Sequence, residues 1–103
     1  MTRVSFNHGA DGSVEVSGHA GYDVRGRDIV CASVSSLCNG MMAVFRVLEM
    51  HGHCREVSIG AEDGRFRLSF RSGDCEARDV LLTYERLFCE VEREFPAHLK
   101  VIR

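Results

Sequence analysis

The sequence predicts an α+β fold, with two helices packed on a mixed or antiparallel sheet of about five strands. Three observations carry that prediction. Short segments alternate apolar and polar residues with period two, and they come in pairs. Two long segments repeat apolar residues at three- and four-residue steps. The order along the chain is strand, strand, helix, strand, strand, helix, strand, which suits helices laid on one sheet. The length, 103 residues, predicts a single domain over 1–103. The two strand–strand–helix halves share an order of elements, but their residues do not align, and the strand order is not legible.

Residues 2–7 and 13–18 read as the first two strands. Val4 and Phe6 alternate with Arg3 and Ser5, and Val14 and Val16 with Ser13 and Glu15. His8-Gly9-Ala10-Asp11-Gly12 between them is turn chemistry, which predicts a hairpin. A loop over 19–28 follows. Gly21 and Gly26 give it conformational freedom. Tyr22, Asp23, Arg25 and Arg27 are together too polar for a core, so the loop reads as the mobile border of a site or as a solvated turn.

The first helix reads from Ile29 to Met50. Ile29, Val30, Val34, Leu37, Cys38, Met41, Phe45 and Leu48 recur at helical steps, and Ala32, Val44 and Val47 widen the apolar face. At 1.5 Å per residue it is about 33 Å long. Its length invites a membrane reading. Ser33, Ser35, Ser36, Asn39, Gly40 and Arg46 argue instead for a buried helix with one wetter stripe, so no membrane partner is expected. Gly40 predicts a close approach by another helix.

His51-Gly52-His53-Cys54 ends that helix. Gly52 reads as a left-handed cap, with histidines near the negative end of the dipole. The competing reading is a zinc or copper site. Three ligands so close in sequence need a distant fourth, and no Cys-x-x-Cys pair supplies one, so no metal is assigned.

Residues 55–60 and 65–71 predict a second hairpin, turning at Ala61-Glu62-Asp63-Gly64. Arg65, Arg67 and Arg71 fall on one outward face, a basic stripe. Ser72 or Asp74 is placed to cap the second helix, from Cys75 to Glu94. Ala77, Val80, Leu81, Tyr84, Leu87, Phe88, Val91 and Phe95 form its apolar face. Pro96 ends it. Leu99 to Ile102 is a short last strand, with a structural or exposed His98 before it.

Lys and Arg number 13 against 15 Asp and Glu, a net charge of −2, which argues against a general nucleic-acid binder. Five cysteines are an odd set. Met1-Thr2-Arg3 leads straight into a strand, so a secreted disulfide framework is not expected and a reducing cytoplasm is. Cys38, Cys75 and Cys89 read as core residues.

Chemistry gathers between Gly18 and Ser36. His19 stands where the second strand ends, and Cys31 in the first turn of the first helix. A Gly-rich loop joins them and can fold back to bring them together. Asp28 is a good N-cap residue directly before an apolar run. If it caps, Cys31 lies among the free N–H groups and the positive dipole end, where a thiolate is favoured. Ser35, four residues on, shares the face of Cys31. The backbone N–H groups of Cys31 and Ala32 are candidates to stabilise an oxyanion.

The string Gly-His-Ala-Gly, then Gly-Arg-Asp-Ile-Val-Cys-Ala, then Ser35, resembles the ribosomal-processing cysteine protease (Prp) family of bacteria. The likeness covers essentially the whole chain, with Arg27 where a lysine is common. The resemblance implies a Cys–His dyad with His19 as general base and acid, Cys31 as nucleophile, and Gly18, Asp28 and Ser35 supporting the site. It implies a substrate, the N-terminal extension of large-subunit ribosomal protein number twenty-seven, cut near apolar residues. It also implies a homodimer and a loop that moves with substrate. No metal or organic cofactor and no direct nucleic-acid contact is needed. The alternative is a non-catalytic, ribosome-associated binding module using Arg65, Arg67 and Arg71.

Overall fold

A computed structural model describes residues 1–24 and 26–102, so Arg25 of the predicted loop lies outside the described residues. The elements are β1 (Thr2–Asn7), β2 (Ser13–Ser17), α1 (Ile29–Met50), β3 (Arg55–Glu62), β4 (Arg65–Arg71), α2 (Cys75–Glu94) and β5 (Leu99–Ile102). The strands form one sheet in the order β3-β4-β2-β1-β5. Every neighbouring pair is antiparallel except β1 with β5. The sheet is therefore mixed, as the pattern of hairpins and helices predicts. Each helix joins two parallel strands, β2 to β3 and β4 to β5, as a helical crossover does.

Register follows the alternation. Val4 stands opposite Val16 and Val101, and Val16 opposite Phe66. These residues are buried, while Arg3, Arg65, Arg67 and Arg71 between them are exposed. Both helices therefore cover one face of the sheet and leave the other wet. Between the layers, Phe45 of α1 stacks on Phe70 of β4 with ring centroids 5.2 Å apart. α1 buries Val30, Val34, Cys38, Met41, Phe45 and Leu48, against Ala77, Leu81 and Phe88 from α2. Gly40 has the packing role expected of it. A Cβ there would stand 2.7 Å from the Tyr84 hydroxyl of α2.

Four local readings change. β2 stops at Ser17 because Gly18 turns the chain with φ +88°. β3 runs on to Glu62, so the second hairpin turns on Asp63-Gly64 alone. Cys75 is exposed rather than core, and Cys89 is half-buried. The apolar faces are also wider than what covers them: Val47 is 49% exposed and Leu87 41%.

α1 ends as expected. Gly52 adopts φ +78°, its N–H donates to Glu49 O, and His53 N–H donates to Leu48 O. This paired closure satisfies two carbonyls that a helix C-terminus leaves open.

Candidate active site

The site begins with the cap of α1. Asp28 Oδ1 accepts from Cys31 N–H at 2.9 Å, and its Oδ2 accepts from Tyr22 N–H at 2.9 Å. One carboxylate therefore caps the helix and ties back the loop before it. Burial opposes its charge, but the N–H groups of Cys31 and Tyr22 outweigh burial and hold Asp28 below its ordinary 3.8. With both oxygens engaged by the backbone, the carboxylate serves the turn rather than a histidine, as the cap chemistry predicts.

The second part is the exit from β2. Gly18 cannot carry a side chain. Its φ is +88°, and a Cβ would stand 2.4 Å from the carbonyl oxygen of Met1. Its N–H donates to Gly64 O in the β3–β4 turn at 2.8 Å. That bond docks the strand end against the neighbouring hairpin. His19 follows directly, exposed, with Nε2 3.0 Å from where a Gly64 Cβ would be. Gly64 is thus the surface on which the imidazole rests.

The two parts meet at sulfur. Ala20 N–H donates to Cys31 Sγ at 3.5 Å. A residue adjacent to His19 therefore touches the sulfur. Gly18, His19, Asp28, Cys31 and Ser35, the five residues singled out in sequence, all line one cleft of about 750 Å³. Its apolar walls come from Val16, Val34, Met42 and Phe66, and its rim from the β3–β4 turn. No hydrogen bond joins His19 to Cys31; the sulfur is held by Ala20 instead. A nucleophile and base sharing a cleft in a free enzyme commonly tighten only with substrate.

One expectation fails. The N–H groups of Cys31 and Ala32 are not free for an oxyanion. The first is bonded to the Asp28 carboxylate and the second to Asp28 O at 3.0 Å. The cap that builds the helix start consumes the donors a bare helix start would offer.

The remaining sequence candidates lie elsewhere. His53 Nδ1 is 2.7 Å from Asp74 Oδ2, and Nε2 is 3.4 Å from Glu76 Oε2. Cys54 is buried beside them, and burial, then Glu49 and Asp74, push its thiol up. Cys38 is pushed up to about 12 by burial, which makes it inert. Of the basic stripe, Arg65 pairs with Glu15 at 3.2 Å and Arg71 with Glu56 at 3.7 Å. Gly64 lines the cleft and His98 contacts Ala20, and sequence reasoning placed neither beside the site. His98 Nδ1 lies 3.1 Å from Ala20 O, and the Tyr22 ring stands edge-on to it.

Residues 1–100 match the family model described as cysteine protease Prp. The ribosomal processing cysteine protease Prp of Bacillus subtilis (strain 168) is 34% identical over 94 residues, covering 86% of this chain and 82% of that one. Two crystal structures of an essential ribosomal processing protease Prp from S. aureus are similar in fold. The one with a covalently linked product peptide superposes with a TM-score of 0.80 at 22% identity, over 98% of this chain and 97% of the other. The one with a substrate peptide gives 0.72 at 24% identity, over 99% and 98%.

Proposed function

The chain belongs to the cysteine protease Prp family, and from that premise we propose that Cys31 is the nucleophile and His19 the general base of a Cys–His dyad. The observation that carries the assignment is the Ala20 N–H on Cys31 Sγ, which puts the residue adjacent to His19 against the sulfur in a shared cleft. A hydrogen bond to an ionised acceptor is stronger than to a neutral one, so this N–H and the dipole of α1 act in favour of charge on sulfur, while the Asp28 carboxylate beside the Cys31 side chain acts against it.

The reaction is covalent hydrolysis of a peptide bond. The Cys31 thiolate adds to the scissile carbonyl carbon, and the carbonyl π pair moves onto oxygen. The tetrahedral oxyanion collapses, the C–N bond breaks, and His19 gives the departing amine the proton it had taken from the Cys31 thiol. Water then adds to the thioester as His19 takes its proton. Collapse releases the thiolate and the carboxylic acid, which loses its proton to solvent. The oxyanion needs donors other than the N–H groups that Asp28 occupies. The Ser35 hydroxyl, one turn from Cys31 and lining the same cleft, is a candidate side-chain donor.

The substrate proposed is the N-terminal extension of large-subunit ribosomal protein number twenty-seven. Two things support it: the ribosomal processing activity named for the 34% identical relative, and the apolar walls of the cleft, which suit apolar side chains beside the scissile bond. Exposed Val47 and Met50 on α1 support pairing of two copies, and the odd count of five cysteines supports a reducing cytoplasm.

The test mixes the protein with the precursor of its own organism's ribosomal protein. Cys31→Ala and His19→Ala should each lower cleavage by about 10³-fold or more, and the double variant little further, since the two act as a unit. Cleavage that persists in Cys31→Ala removes the assigned nucleophile.

A further inference from the structure

The peptide units flanking Ala20 are held at both ends. Its N–H donates to Cys31 Sγ at 3.5 Å, and its carbonyl faces His98 Nδ1 at 3.1 Å. A carbonyl only accepts, so Nδ1 carries the proton and donates. His98 is itself fixed. Its N–H donates to Phe95 O at 3.0 Å, and its carbonyl accepts from Thr2 N–H at 3.0 Å. The Tyr22 ring meets its ring nearly at right angles with centroids 5.2 Å apart. Tyr22 N–H in turn is held by Asp28. The segment between α2 and β5 therefore reaches across to the first residues after β2.

We propose that His98 is a positioning residue for catalysis: by holding the Ala20 carbonyl, it aims the Ala20 N–H at the Cys31 sulfur and so sustains the reactive thiolate. It acts through Ala20 and does not line the cleft. The role rests on Cys31 being the nucleophile, as proposed above. The bond tolerates acid, because an imidazolium still donates from Nδ1. An asparagine amide nitrogen can take the place of Nδ1, which makes His98→Asn the conservative variant. His98→Leu keeps bulk and removes the donor.

The experiment measures iodoacetamide alkylation of Cys31 against pH by mass spectrometry, in a Cys75→Ser background that removes the exposed competitor. Cleavage of the ribosomal precursor is followed in parallel. Among the described residues, the other ionisable groups bordering the cleft are His19, Asp23, Asp28, Cys38, Glu62, Asp63 and Arg65, and both variants retain them. His98→Leu should move the alkylation midpoint to higher pH and lower kcat about tenfold, the size of one good hydrogen bond. His98→Asn should restore both to within about threefold. A folded His98→Leu with the parent's midpoint and kcat overturns the proposal. If His98→Leu does not fold, His98→Gln replaces it, since its longer side chain misplaces the amide. Equal midpoints and kcat in His98→Asn and His98→Gln then overturn the proposal. Cleavage surviving in Cys31→Ala sinks the dyad. An inactive Cys31→Ala beside an unaffected His98→Leu sinks the positioning role alone.

Discussion

Asp28 caps α1 and Asp74 caps α2, each accepting from the third residue of its helix, and a cysteine stands in the first turn of both. Each start is also approached by a histidine that follows a glycine of positive φ: His19 after Gly18, His53 after Gly52. The two places then diverge. At α2 the cap carboxylate engages the histidine, Glu76 faces its other nitrogen, and Cys75 lies exposed. At α1 the second carboxylate oxygen goes to a backbone N–H, and the histidine faces a cleft that it shares with the sulfur. A capped helix start with a cysteine is therefore not yet a reactive site. On the dyad proposed above, it becomes one when the approaching imidazole is spared from the cap and a backbone donor meets the sulfur.

The largest test of this contrast lies in the two glycines. Gly18→Ala must fit a Cβ against Met1 O at 2.4 Å as well as bear the positive φ, whereas nothing stands within 4 Å of a Cβ at Gly52. Gly18→Ala should cost about 3 kcal/mol and reduce cleavage with it, and Gly52→Ala about 1 kcal/mol. Urea unfolding of both variants measures the difference. Equal costs would mean that the β2 exit adapts and is not the fixed mount described.

The caps come next. Asp28→Ala and Asp74→Ala should each lose about 1 kcal/mol, or about 4–8 °C in Tm. Only Asp28→Ala should also depress cleavage, because it frees Tyr22 N–H and with it the loop. Cleavage equally impaired in both variants would tie activity to global stability rather than to the α1 cap.

The smallest effect is the pH dependence at α2. The hydrogen bond to Asp74 holds His53 above its ordinary 6.5; burial opposes it, and the charges of Asp74 and Glu76 add to it. The same hydrogen bond holds Asp74 below 3.8. A raised histidine contributes fully below its unfolded value, about 6.5, and loses the contribution as pH rises through its folded value. A lowered aspartate contributes above about 3.9 and loses the contribution as pH falls through its folded value. The stability gap between wild type and His53→Gln should therefore be widest from about pH 4 to 6.5 and narrow above. Denaturant midpoints at a series of pH values give that gap, and a constant gap would dissolve the ion pair.

What sequence made legible was what neighbours in the chain decide. Asp28 as cap and Cys31 as the third helical residue follow from local chemistry, as does the Gly52 closure of α1. His19 and Cys31 sharing a cleft followed from a Gly-rich loop and a family likeness. What stayed hidden is long-range. His98 meets Ala20 across a separation of 78 residues, and Gly64 reaches His19 only through the β4–β2 pairing. Strand order was hidden for the same reason. The oxyanion assignment failed because a cap residue was credited with starting the helix but not with occupying its donors. Leu87 was misplaced because periodicity describes a face and not whether anything covers it, and Cys75 because residue type alone was taken for burial.

Ala20 is 3% exposed, and its hydrogen bonds to Cys31 and His98 come from its main chain. Its side chain is only a methyl group, so an alanine scan leaves it untouched and would record the position as neutral. Exchanging the amide for an ester at that one link, by chemical synthesis of the chain, would expose a contribution that ordinary side-chain mutagenesis passes over.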